Sequence, residues 1–211
     1  MLLICGILQP IIRIVNDIVA GILYPGYSFR DQTMSQLAAV GAPTREFQMT
    51  LFTIEPLLII LFAVGVWKSS GKKRSLRICG ALLAVFGVLL GVELLFPQTS
   101  MQLSGGLADQ IIHIVVIGAS VILIWLFIGF GAAALGKGFR LYSIATVLVM
   151  IIFGAMTGSR AAQAVEFSAP WMGAMERVNY YSYLIWMFVF ANLLLLANSK
   201  SSRDVISGEA K

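Results

Sequence analysis

Residues 93–113 read ELLFPQTSMQLSGGLADQIIH. This stretch ends one long apolar run, turns at Pro97, crosses a Gly105-Gly106 pair and begins a second apolar run. Proline and paired glycines are typical of turns rather than of helix interiors. The stretch therefore predicts two transmembrane helices joined by a polar turn, with ionisable side chains at both edges of that turn.

The composition of the whole chain indicates a membrane protein. Its 211 residues are 59% hydrophobic and 12% charged, with a mean hydropathy of +0.89. Soluble domains carry roughly 25% charged residues, and half of that share cannot cover a soluble surface with polar groups. Apolar runs of about 20 residues, the length that crosses a bilayer, recur along the chain. The basic residues lie in short loops between these runs, so the net charge of +5 reflects topology rather than a nucleic-acid partner.

The hydropathy pattern predicts an all-α fold with six transmembrane helices in one bundle over residues 1–198. The expected helices cover about residues 2–24, 45–67, 78–96, 109–134, 141–158 and 178–198. Residues 199–211 are polar and charged, and we expect a disordered tail there.

Six spans place both termini on one side of the membrane. Ten Lys and Arg residues fall on the side of the termini and four on the other, with Arg13 between them inside the bilayer. Because cytoplasmic loops carry the excess of positive charge, the sequence predicts a multi-pass cell-membrane protein whose N- and C-termini are cytoplasmic.

Several ionisable residues lie inside the predicted spans or at their edges. Arg13 and Asp17 are four residues apart on helix 1 and are predicted to pair. An isolated charge at mid-bilayer costs about 2.5–3.5 kcal/mol, so these groups should face the bundle interior. Depth in the bilayer can be counted at about 1.5 Å per helical residue. By this count, seven ionisable residues lie in the outer half or near the bilayer centre: Asp17, Glu55, Glu93, Asp109, His113, Glu176 and Arg177. This asymmetry predicts a polar cavity that opens outward.

The chemistry of that cavity depends on a small set of side chains. Asp109 and His113, at spacing i, i+4, are predicted catalytic residues that form a carboxylate–imidazole pair for proton transfer, with Glu93 or Glu55 as partner. His113 is the only histidine in the chain, which excludes bis-His haem and HExxH sites, and no metal site is predicted. The sequence does not identify a cofactor.

Short motifs recur along nearly the whole chain in a characteristic order and spacing. They are YPGYS at 24–28, Asp31 with Ser35 and Leu37, GAP at 41–43, Phe96-Pro97, the approach to helix 4 at 105–113, and Glu176-Arg177. With these motifs the chain resembles a known family, the bacterial and archaeal membrane proteins grouped as domain of unknown function 998. The resemblance implies a six-helix membrane bundle, and because the family has no established activity it implies no reaction.

Three functional hypotheses follow. The first is a protein that binds a small amphipathic or lipid-like ligand in the outward pocket, with residues 25–46 as its lid. The predicted ligand-binding residues are Arg13, Asp17, Asp31, Glu55, Glu176 and Arg177. The second is a membrane-embedded enzyme that acts on a lipid or isoprenoid through His113, Asp109 and Glu93. The third is a structural subunit of a larger membrane-protein complex. The expected partners are membrane lipids in all three.

Overall fold

The computed structural model describes residues 1–94, 107–161 and 169–209, with the backbone alone described in 107–114 and 200–209. The described residues form seven α-helices and no strand, and a 3-10 turn at Leu2–Ile4 leads into the first helix. The helices are α1 (Cys5–Leu23), α2 (Arg45–Phe52), α3 (Glu55–Lys68), α4 (Arg74–Glu93), α5 (Leu107–Ala134), α6 (Lys137–Ala161) and α7 (Met172–Glu209). A second 3-10 turn, Met34–Ala38, lies in the loop between α1 and α2.

Six segments of the described chain are long and apolar enough to cross a membrane. They are Leu2–Leu23, Arg45–Lys68, Arg74–Glu93, Val115–Ala134, Lys137–Ala161 and Met172–Ser199. Large apolar side chains lie exposed on the outside of the bundle, among them Ile22 at 71% and Leu141 at 70%. Water would disfavour such a surface and lipid would not, so the predicted all-α, six-helix membrane bundle is confirmed.

The second span is two helices rather than the single helix expected at 45–67. Pro56 has no N–H to donate to the carbonyl of Phe52, one turn earlier. The N–H of Ile54 instead donates to the carbonyl of Leu51 at 3.1 Å, and α3 restarts at Glu55. Glu55 begins α3 at this break, and its side chain is 6% exposed.

The other helix ends also differ from the expected bounds. α4, α6 and α7 each begin four to six residues earlier than residues 78, 141 and 178. The added first turns contain Arg and Lys, which hydropathy assigns to loops although both are good helix formers. α7 continues to Glu209, where the sequence predicts a disordered tail, because extending a formed helix needs no new nucleation. The expected end of helix 3 at residue 96 lies outside the described residues.

The spans close into a ring in which α7 lies between α6 and α1 and directs aromatic side chains into the interior. α1 packs against α3 and α7, and each of the helices from α3 to α7 packs against the next in sequence. Tyr183, Trp186 and Phe190 of α7 are buried at the centre. Their rings contact Phe86 of α4, Phe127 of α5 and Phe62 of α3. The Trp186 indole N–H donates to the hydroxyl of Ser143 on α6 at 2.8 Å, so α7 connects most of the bundle.

Candidate functional site

A cluster of ionisable and phenolic side chains joins α1, α7 and the loop 24–44. We call Asp17, Tyr27, Arg177 and Tyr181 the loop-side cluster. Arg177 Nε donates to Asp17 Oδ2 at 2.8 Å and Arg177 Nη2 donates to Asp17 Oδ1 at 3.0 Å. The hydroxyl of Tyr181 also donates to Asp17 Oδ2. The side chains of Asp17 and Arg177 are 2% and 10% exposed, so this bidentate pair is a buried salt bridge between helices.

Arg177 has further acceptors on the loop. Its Nη1 donates to the carbonyl oxygens of Phe29 at 2.8 Å, Gln32 at 3.2 Å and Gly173 at 3.2 Å. Its Nη2 donates to the hydroxyl of Tyr27 at 2.7 Å. Burial raises the pKa of Tyr27 above its ordinary value, which keeps this phenol neutral. The Arg177 guanidinium is therefore fully engaged by protein groups.

Asp31 and Glu176 fasten the same loop to the start of α7. The Asp31 carboxylate accepts from Arg30 Nε at 2.8 Å and from the backbone N–H of Trp171 at 3.0 Å. These two hydrogen bonds, that of Arg30 first, lower the pKa of Asp31 to about 2. Glu176 accepts from the backbone N–H of Met34 at 2.5 Å. The loop expected to act as a lid thus lies directly on α7.

A second group of polar side chains lies near the middle of the bundle. We call Gln9, Arg13, Glu55 and Tyr180 the central cluster. Arg13 Nη1 lies 3.3 Å from Glu55 Oε1, with side chains 12% and 6% exposed. The Arg13 guanidinium also lies over the rings of Phe52, at 4.2 Å, and Tyr180, at 5.2 Å. Aromatic faces stabilise a desolvated cation.

The predicted Arg13–Asp17 pair is therefore wrong. Both residues lie on α1, but Arg13 pairs with Glu55 on α3 and Asp17 pairs with Arg177 on α7. The i, i+4 rule describes exposed helices, where neighbouring turns are the available partners. Inside a bundle, facing helices supply a better-placed partner for each charge.

The central cluster includes buried polar atoms without a protein partner. The carboxamide of Gln9 is completely buried. Its Nε2 lies beside the Glu55 carboxylate without a hydrogen bond of standard geometry, and its Oε1 has no hydrogen-bond partner. Arg13 Nε and Asn16 Oδ1 are also buried without a hydrogen-bond partner, although Asn16 Nδ2 donates to Gln48 Oε1 at 2.8 Å. Positions 9, 13 and 16 share one face of α1. Buried polar atoms without partners are costly in hydrocarbon.

The three predicted catalytic residues are described unequally. Glu93 ends α4, is half-buried and lies close enough to Glu55 and Tyr180 to interact with them electrostatically. Asp109 and His113 are on α5, one turn apart, but their side chains lie outside the described residues. Their predicted pairing stays a prediction. In the portion of the chain that is described, no three His, Cys, Asp or Glu side chains group as metal ligands.

The family described as protein of unknown function (DUF998) matches residues 4–192. The chain belongs to this family. The match covers most of the sequence, so the resemblance to DUF998 is confirmed. No curated protein and no solved structure matches the chain.

Every residue of the two clusters in this DUF998 protein lies within the matched range 4–192. The sequence reasoning missed Gln9, Tyr27, Tyr180 and Tyr181. Gln9 could have been predicted from the sequence, because it lies one turn before Arg13 on the face that also holds Asn16. The three tyrosines could not, since tyrosines near span ends are also typical of the membrane interface.

Proposed function

We propose that this DUF998 protein binds a small amphipathic ligand whose polar group lies against the central cluster. The observation that carries the proposal is the Gln9 carboxamide, which is fully buried with its Oε1 unpartnered and its Nε2 held beside Glu55 without a hydrogen bond of standard geometry. A native protein retains such a group when something else satisfies it, because the desolvation cost is about 1–3 kcal/mol per group. A bound polar group would supply the missing partners.

The available atoms define the chemistry of that polar group. Gln9 offers its Oε1 as an acceptor and an Nε2 N–H as a donor, and Arg13 Nε offers a further N–H donor. The charges of Arg13 and Glu55 offset each other across 3.3 Å. These features favour a head that both donates and accepts hydrogen bonds, such as a hydroxyl or amide group. The surrounding bundle is apolar, which favours a lipid-like remainder.

The two clusters would then have different roles. Arg177 and Asp17 make their hydrogen bonds to protein groups on α1, α7 and the loop. Asp31 and Glu176 likewise hold the loop to α7. We therefore assign the loop-side cluster to holding the loop 24–44 in place, as the cover of an outward-opening pocket, and the central cluster to the ligand.

The test compares the wild type with Gln9→Leu, purified in mild detergent and extracted for mass spectrometry of bound organic molecules. Loss of about two hydrogen bonds, at roughly 0.5–1.5 kcal/mol each, should weaken retention about tenfold or more. Asn192→Leu is the matched control, since the Asn192 amide donates to the Phe188 carbonyl on the exposed side of α7. This control should retain the ligand at the wild-type level.

Thermal unfolding accompanies the retention measurement, because Gln9→Leu removes a buried polar group and should leave the fold intact. A wild-type protein that carries no organic molecule would overturn the proposal. Equal retention by the wild type and Gln9→Leu would overturn it as well.

We also propose that the N- and C-termini of this protein face the cytoplasm in the cell membrane. The charge difference of ten against four supports this orientation. One of those four, Arg177, is buried in the bundle, which leaves three on the loop side. A reporter that is active only in the cytoplasm should be active when fused after residue 211. Activity restricted to a periplasmic reporter would reverse the orientation.

A further inference from the structure

An apolar groove lies at the other end of the bundle from the loop-side cluster. It spans the turn between α5 and α6 and the last membrane turns of α7, and it holds about 420 Å³. Its lining includes Leu135, Gly138, Phe139, Tyr142, Val189 and Leu193. This volume falls in the range of about 300–1,000 Å³ that is usual for small-molecule sites. Its walls are almost wholly apolar, which suits a hydrocarbon chain.

Two glycines make the groove. A methyl group added at Gly136 or Gly138 would meet no other atom within 4 Å. Both residues are exposed, and neither has a positive φ. Neither a tight turn nor a close helix contact therefore requires glycine at these two positions. The absence of side chains here leaves open space beside Phe139 and Tyr142.

Three basic residues lie next to lining residues of the same groove. Lys137 lies between the two glycines and Arg140 follows Phe139, and both are exposed. Lys73 Nζ donates to the carbonyl of Ala134 at 3.1 Å, next to the lining residue Leu135. In the part of the chain with described side chains, none of these three cations forms a salt bridge. A negatively charged group at the rim would complement them.

We infer that this groove binds one anionic phospholipid, with an acyl chain in the groove and its phosphate among Lys73, Lys137 and Arg140. Apolar lining residues, open space beside two glycines and adjacent basic residues occur together here, and an anionic lipid has an apolar chain and a negatively charged head that complement them. Basic clusters at the membrane surface attract anionic lipids. The site is separate from the central cluster and does not depend on the ligand proposed there.

The test is native mass spectrometry of the purified protein titrated with phosphatidylglycerol and, separately, with phosphatidylcholine of the same acyl chains. We expect the wild type to bind phosphatidylglycerol at least tenfold more tightly. The double variant Lys137→Gln and Arg140→Gln should reduce that preference to about twofold or less. Arg160→Gln, at the opposite end of α6, is the matched control and should keep the wild-type preference.

Gly138→Leu tests the groove itself. The new side chain enters open space, so the fold should persist, which thermal unfolding checks, while binding of both lipids should fall at least fivefold. Equal binding of the two lipids by the wild type would overturn the inference, as would unchanged binding by Gly138→Leu. A wild-type dimer that Gly138→Leu converts to a monomer would assign the groove to a second copy of the chain and overturn it too.

Discussion

Arg177 donates hydrogen bonds to groups on α1, on its own helix and on the loop 24–44, and this one side chain organises one end of the bundle. Its partners are the Asp17 carboxylate, the Tyr27 hydroxyl and the carbonyls of Phe29, Gln32 and Gly173. A guanidinium suits this position because its donors point outward in a fixed plane. Lysine would retain the charge and lose most of these directed contacts.

Asp31 gives a pH-dependent prediction for the loop. Its pKa of about 2 lies below the ordinary value of 3.8, because its charged form accepts hydrogen bonds from Arg30 and Trp171. A depressed pKa means that the contact stabilises the loop above about pH 4 and is lost as the pH falls from about 4 towards 2. The backbone amide signal of Trp171 in a nuclear magnetic resonance titration should shift with a midpoint near pH 2.

Asp31→Asn is the control for that titration, and it should abolish the transition at Trp171. A midpoint near 4 in the wild type would mean that the Asp31 carboxylate behaves as it does in an unfolded chain. It would contradict the contact between Asp31 and α7.

At the scale of helices, hydropathy predicted how many spans exist but not where each begins and ends. Apolar runs determine the number, because each must fill the bilayer. The ends depend on backbone hydrogen bonds, which Pro56 interrupts and which the basic first turns of α4 and α6 extend. The break at residues 53–54 was not predicted, although Glu55-Pro56 was its visible cause.

Gly173 controls how the loop 24–44 meets α7. A Cβ at this position would overlap the backbone carbonyl of Gln32 and crowd that of Phe29. Backbone cannot move aside as a flexible side chain can, so Gly173→Ala should push the loop away and destabilise the fold by about 1–3 kcal/mol. Trypsin cleavage after Arg30, in the exposed part of this loop, should become several-fold faster.

Gly158→Ala is the matched control, because a Cβ at Gly158 on α6 meets nothing within 4 Å. Its cleavage rate should equal that of the wild type. If Gly173→Ala is cleaved no faster than Gly158→Ala, the loop does not depend on close contact with α7.

At the scale of the whole molecule, the sequence predicted that the buried charged side chains face the protein interior, but it did not predict which of them pair. The energetic cost of a charge in hydrocarbon requires Arg13, Asp17 and Glu55 to face the protein. Which charges meet depends on the ring order of helices, which brings α1 between α3 and α7. Sequence spacing identifies only partners on the same helix, and it therefore predicted that Arg13 pairs with Asp17. The sequence places Asp17 and Arg177 160 residues apart.

The central claim is that ionised side chains are tolerated in this bundle because they pair between helices, and the coupling between Asp17 and Arg177 tests it most directly. The free energy of unfolding should be measured in mixed micelles for the wild type, Asp17→Asn, Arg177→Met and the double variant. Each single change should cost about 3–5 kcal/mol, because it leaves the other group buried without its partner. Glu46→Gln, at an exposed position on α2, should change stability by no more than about 0.5 kcal/mol.

The double variant should lose less free energy of unfolding than the two single variants lose in sum, by about 1–3 kcal/mol. Costs for Asp17→Asn and Arg177→Met that simply add, to within about 0.5 kcal/mol, would contradict the account.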